Sequence, residues 1–316
     1  EPKQETRKTP KRMKDRPRAK KPWLHALRCF GALVLMFTAY WLLNYCAFPL
    51  FDAVSPWTRE VSATCGGLAL IIIALVLYWR PRVLRRSFQS GVVALLAIGV
   101  ISMLGGLYLN SIPALFVGAS LVTIGISLIA VIAGLICVTL DLRIVGLCIA
   151  LAYVFSYALR YVFTYLSIEV NLLLFIAIPF LNFLLCNSTA RPIIRKILAA
   201  EAPAQTSVTA PESILPFAHQ VFITLVIFRI IYGYSLTFGE VDRTPALALF
   251  ALIPLLLYVV WLFVKKNVLN PDSLFRISIL FSVAGFLIPL AEGNLNIIIA
   301  SNLLSGGTGF FEILMY

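Results

Sequence analysis

The sequence predicts an all-α, polytopic membrane protein, and three observations predict it. Of 316 residues, 60% are apolar and 13% charged, with a mean hydropathy of +0.94. A soluble domain is about 45–50% apolar and about 25% charged. The apolar residues fall in continuous runs of about 20, the length a helix needs to cross the hydrocarbon core. The basic residues that separate these runs crowd onto alternate loops, as they do in chains threaded through a bilayer. The runs lack period-two alternation, so they are helices and not barrel strands; one or the other is required where lipid offers the backbone no partner. This composition excludes a water-soluble globular enzyme, a disordered chain and a disulfide-stapled scaffold.

Residues 1–22 form a basic cytoplasmic tail, with ten of the 26 Lys and Arg between Lys3 and Lys21. The tail has no interleaved aromatic residues and no recognition-helix pattern. Its charge therefore serves orientation, with anionic lipid as a possible contact, rather than direct DNA binding. Six apolar runs follow, at roughly 24–46, 61–79, 88–109, 114–138, 144–166 and 170–187, and make a first half over 23–187. A cytoplasmic linker is expected at 188–216, where Glu201–Glu212 is rich in Pro, Ala and Thr. Runs at 217–237, 245–264 and 274–291, then an incomplete tenth from about 295, make a truncated second half over 217–316. The chain opens on Glu1 and stops at Tyr316 within an apolar run, so a longer protein with two further spans is expected. About ten spans of an expected twelve, divided by a cytoplasmic linker, give a major-facilitator-like layout.

Loop charge sets the orientation. With the N-terminus inside, the inward segments carry 22 basic residues and the outward loops two, Arg59 and Arg243. Only Arg160 and Arg229 are left over, within spans. That asymmetry places the N-terminus in the cytoplasm.

Those two arginines lead the candidate ligand-binding or gating residues. Arg229 is central in 217–237, where a charge costs about 2.5–3.5 kcal/mol on insertion scales. It needs a cavity, a ligand or an internal ion pair. Arg160 is in the outer part of its span and can snorkel to the headgroups. It also shares a helical face with Tyr153, Tyr157 and Tyr161, at spacings that suit stacking of a flat or cationic ligand. Glu312, inside the tenth run, is a partner for either arginine. Before it, Asn294, Asn296, Ser301, Asn302 and Ser305–Gly309 make the most polar and glycine-rich stretch of any span. That stretch either breaks a helix to line a cavity or provides a close-packing seam.

Other features read as structural. Ala114, Gly118 and Gly125 fall on one stripe of a helix, as close helix packing needs. Pro179, Pro254 and Pro289 are candidate kinks. The six cysteines include no C-x-x-C and serve as small packing residues, Cys46 and Cys65 being the one pair placed to bridge on the outer side. Two histidines and no carboxylate cluster give no metal site, and no catalytic or nucleotide-cradling motif is present, so neither enzyme chemistry nor a cofactor is expected.

The loop between the second and third runs, Trp79–Arg86, lacks the Gly and Asp that major facilitator transporters carry there; Lys265–Ser273 departs too. The stretches Phe281–Leu290 and Asn302–Tyr316 instead resemble a family of bacterial membrane regulators. In that family a twelve-span, major-facilitator-like domain precedes a C-terminal LuxR-type helix-turn-helix. The resemblance implies a sensor in the cytoplasmic membrane that responds to a small molecule or a membrane state. It would reach DNA only through a module absent from this chain. A secondary transporter of a small solute using Arg160, Arg229 and Glu312 is the alternative, and a ligand-free scaffold a third.

Overall fold

The computed structural model describes residues 22–79, 84–137, 140, 142–199, 230, 256–257, 259–260, 271–288, 299–300, 303–304 and 307. The tail up to 21, most of the linker and most of the second half lie outside these residues. Among them are Arg229, Asn302 and Glu312, and also Pro254 and Pro289.

No strand occurs among the described residues. The elements are α1 (Pro22–Leu42), a π-helical turn (Leu43–Ala47), α2 (Phe48–Asp52), α3 (Thr58–Trp79), α4 (Leu84–Tyr108), α5 (Ile112–Cys137), α6 (Leu142–Phe163), α7 (Ile168–Ala199) and α8 (Pro271–Leu287). Each described helix except the short α2 overlaps an apolar run expected from the sequence. Five are long and apolar enough to cross a membrane: Trp23–Asp52, Phe88–Tyr108, Ile112–Cys137, Ile144–Phe163 and Ile168–Ile194. Together they suggest a multi-pass helical membrane protein; the runs expected at 217–237 and 245–264 and from about 295 lie mostly outside the described residues.

Helix ends follow local chemistry. After α4 the chain reverses through Asn110, whose φ of 51° is in the left-handed region that Asn tolerates. The Ser111 amide donates to Gly106 O at 2.9 Å, and Pro113 then stands in the first turn of α5. Before α3, the Thr58 hydroxyl donates to Ser55 O at 2.7 Å. Glu60 and Glu169 occupy the first turns of α3 and α7, where the helix dipole favours an acid.

Two helices differ from the runs that foretold them. The first does not stop near residue 46 but continues through the π-turn to Asp52. In that turn the Phe48 amide bonds Leu43 O, five residues back. The sixth passes residue 187 and runs to Ala199, so the start of the expected linker is helical. Apolar length ends where lipid ends, but a helix can go on in water. Here two cross-helix bonds hold it: Arg28 Nη1 donates to Thr189 Oγ1 at 3.3 Å and Arg191 Nε to Gln89 Oε1 at 2.8 Å. Pro179 and Pro192 both stand inside this helix.

Helices α1 and α5 are at the centre. The first packs on α6, α7 and α5, and the second on α3, α4, α7 and α1. The core between them includes Leu33, Met36, Leu96, Met103, Leu115, Ile129, Ile132 and Ile149, all essentially inaccessible. Outward faces are apolar as well. Leu68, Ile71, Ile72 and Leu75 form an exposed i, i+3, i+4, i+7 stripe on α3, and Leu173, Leu181 and Leu184 are exposed on α7. A helix apolar all round belongs in lipid.

The packing has an exchange pattern. Divide the first half into α1–α4 and α5–α7, each with three long helices. The first helix of either unit packs against the second and third long helices of the other: α1 against α6 and α7, α5 against α3 and α4. The pairs that exchange with themselves, α1 with α5 and α4 with α7, also touch. Short connections reverse direction at each step, so the two units start from opposite sides.

Small residues set the closest approach, between α4 and α5. A Cβ added at Gly118 would overlap the Met103 amide nitrogen, and one at Gly106 the Leu115 nitrogen. A Cβ at Gly99 would lie 2.9 Å from the Val122 nitrogen. Ser102 Oγ donates across the same seam to Ala114 O at 2.8 Å. The stripe read on α5 is thus a packing surface, met by glycines seven apart on α4. In the glycine-rich stretch near the C-terminus, a Cβ at Gly307 would lie 2.8 Å from Ser282 Oγ of α8, which places that glycine in a packing seam.

All six cysteines are free, with Cys65 exposed and Cys46 buried, so these two do not form a bridge.

Candidate functional site

Two of the described candidate residues, Tyr157 and Arg160, meet aromatic residues of the first helix near the C-terminal ends of the two helices. On α6, Tyr153, Tyr157 and Arg160 recur at i, i+4 and i+7, so they face the same neighbour. On the first helix Phe37, Trp41 and Tyr45 recur at i, i+4 and i+8, the last inside the π-turn. The two helices run side by side in the same direction. Cys148 Sγ lies 3.7 Å from Ala26 O near their N-terminal ends, and Phe37 meets Tyr153 edge to face at 4.8 Å. Arg160 meets Trp41 and Tyr45 toward their C-terminal ends.

Arg160 is half-buried in the last turn of α6, where the helix dipole favours a cation. Its guanidinium carbon lies 4.2 Å from the Tyr45 ring centroid, 5.5 Å from Trp41 and 5.8 Å from Tyr157. These are cation–π distances, worth about 0.5–1 kcal/mol at exposed sites and about 2 kcal/mol when desolvated. The rings hold one another too. Trp41 stacks on Tyr45 at 5.3 Å and 17°, and Tyr153 on Tyr157 at 5.4 Å and 28°. Phe163 lies 6.1 Å from Trp41.

Arg160 therefore does more than snorkel, because three rings fix its head group. The tyrosine face that suits a cationic ligand is, at Tyr157, already occupied by the chain's own cation. Tyr161 turns to a different partner: Tyr165 donates its phenolic hydrogen to the Tyr161 oxygen at 2.9 Å, with the rings edge to face. Arg229, Glu312 and Asn302 lie outside the described residues, so their places relative to this cluster are not part of its geometry.

Trp41 and Tyr45 are the members that sequence reasoning missed. Their i, i+4 aromatic spacing is visible in the first run, but nothing in it says which helix they face. The π-turn is unmarked by any Gly or Pro. Beside it a second arginine is held: Arg59 lies 5.3 Å from the Phe48 ring, and its Nη2 donates to Asn44 O at 3.3 Å. Asn44 in turn donates to Tyr40 O at 2.8 Å. One turn of irregular helix thus serves both Arg59 and Arg160.

Arg160 has no hydrogen bond or ion pair among the described residues. The next acid along the chain, Glu169, is exposed in the first turn of α7. The Trp41 indole N–H is buried and also lacks an acceptor. No group of His, Cys, Asp or Glu among the described residues is arranged to hold a metal.

Fold and site together define a multi-pass helical membrane protein with an arginine–aromatic cluster near one end of its first half. No protein-family model, no curated protein and no solved structure matches the chain.

Proposed function

We propose that the chain is the membrane domain of a signal sensor built on a major-facilitator-like plan, of the LuxR-type class of bacterial membrane regulators. It would sit in the cytoplasmic membrane with its N-terminus inside. Its output would pass to a C-terminal helix-turn-helix beyond this chain. The observation that carries the architecture is the exchange packing of α1–α4 with α5–α7. Inverted three-plus-three units nested within a six-helix half are the build of major facilitator proteins.

Within the first half, the distribution of acids favours sensing over ion-coupled transport, which would have to rely on Glu312 of the tenth run. Between residues 23 and 187 the acidic residues are Asp52, Glu60, Asp141 and Glu169, all at or between the ends of expected spans. Proton relays in pumps and transporters use carboxylates within the membrane. A sensor needs only two arrangements that differ at the cytoplasmic end, and a signal with unequal affinity for them.

The test is the natural reading frame past Tyr316, together with a reporter gene driven by the neighbouring promoter. Two further spans, a helix-turn-helix and a reporter that changes on disruption of the gene support the regulator. Two spans and a short basic tail, with solute counterflow in vesicles, overturn it in favour of a secondary transporter.

A further inference from the structure

The geometry points to Arg160 as the anchor of an oxyanion site on the outer side of the first half, with Trp41, Tyr45 and Tyr157 as its walls. The site is short of acceptors and holds a fixed positive charge. A guanidinium carries five N–H donors and no acceptor. Ring faces attract its charge but satisfy those donors poorly, and none has a hydrogen-bond acceptor among the described residues. The buried indole N–H of Trp41, on one of the rings that Arg160 approaches, is likewise without an acceptor. The indole N–H is closed off by its neighbours, whereas the half-buried guanidinium of Arg160 is open and has no protein acceptor in the cluster, so it suits a ligand that brings acceptor oxygens and negative charge.

The aromatic walls also flank the approach. Tyr45 and Trp41 of the first helix and Tyr157 of α6 stand around the guanidinium, so a ligand reaches the fork between ring walls. Edge-on approach is the geometry in which arginine binds carboxylate or phosphate through two parallel hydrogen bonds. The ligand class is therefore a carboxylate or phosphate group, presented either by an outer-leaflet phospholipid or by a soluble molecule. Tyr45 belongs to the π-turn, so an oxyanion drawing on Arg160 acts on the one irregular segment of the first helix. This inference requires the chain to be membrane-embedded but not that its output be transcription. A missing helix-turn-helix leaves it standing, and its failure leaves the regulator reading standing.

The experiment uses the intact protein and the variants Arg160→Gln and Arg160→Lys. In one arm, native mass spectrometry compares retention of short-chain phosphatidylglycerol and phosphatidylcholine. In the other, citrate and inorganic phosphate are titrated against indole emission, with Trp41→Phe identifying the reporting ring. The expected result is anion-selective binding that weakens about tenfold or more in Arg160→Gln and less in Arg160→Lys, which keeps the charge but loses the fork. Selectivity for phosphatidylglycerol alone assigns the lipid source; a citrate or phosphate response assigns the soluble one. Circular dichroism shows which variants fold, and Arg160→Lys serves if Arg160→Gln does not. No anion binding by the wild-type protein, or binding unchanged in a folded Arg160 variant, overturns the proposal.

Discussion

Substituting Gly118 by Ala tests the seam between α4 and α5 with a single methyl group. The added Cβ would overlap the Met103 nitrogen and lie 2.5 Å from its Cα and 2.8 Å from its Cβ. Carbon atoms in favourable contact are about 3.5–4.0 Å apart, so the helices must separate by about 1 Å at that point. Two of the three obstructing atoms are backbone, which cannot rotate away. Overpacking of this kind costs about 1–3 kcal/mol, and the rigid neighbour puts Gly118 in the upper half of that range. Against this, Ala is favoured over Gly in a helix interior by about 1 kcal/mol. The net expectation is a loss of about 1–2 kcal/mol, read as the midpoint of reversible unfolding in mixed detergent–SDS micelles. Gly134→Ala is the control, because an added Cβ there meets nothing within 4 Å. It should leave stability unchanged or raise it by up to about 1 kcal/mol. Gly125→Ala should lie between them, since its obstruction is the movable side chain of Leu96. If Gly118→Ala and Gly134→Ala unfold at the same midpoint, close backbone approach does not hold this pair together.

Tyr45→Leu keeps the apolar bulk of its site but removes the ring nearest Arg160. It should cost about 1 kcal/mol in the same unfolding assay, and no change would show that the cation–π contact adds nothing to stability. Ser102→Ala removes the hydrogen bond to Ala114 O and should cost about 0.6 kcal/mol, the average for such bonds in membranes. In SDS without reductant, N-ethylmaleimide should label all six cysteines, since all six are free thiols. A final count below six by intact mass would reveal a disulfide.

Much of the described half was legible because lipid ties apolar run length to helix length. The third, fourth and fifth runs end within three residues of α4, α5 and α6 except at Leu84, four residues before its run. What was not legible is lateral. Lipid makes every face of a helix apolar, so no hydrophobic stripe says which neighbour it meets. The Ala114–Gly118–Gly125 stripe identified one side of a seam, but Gly99 and Gly106 became its other side only through packing. Arg160 stood out as a charge within a span, yet the first helix that holds it is remote in sequence. Hydropathy also missed both helix extensions. Past Asn187 the turns of α7 are held in part by Arg191 and Gln89, and past Cys46 the π-turn restarts a helix without a sequence breaker.

The length of α7 has a mechanical corollary. Thirty-two residues at 1.5 Å each make a rod of about 48 Å, against a hydrocarbon core of about 30 Å. Its N-terminal end is tied to the end of α6 by Asn171, whose side-chain amide donates to Phe163 O at 3.0 Å. Its C-terminal end, longer than the core alone requires, is braced where Arg191 meets Gln89. Pivoting the whole rod by about 5° about its N-terminal end would sweep the other tip, and its brace, through about 4 Å, by the same rise per residue. A small rearrangement at one face of the membrane would thus arrive beyond the other as a displacement comparable to the spacing between neighbouring strands.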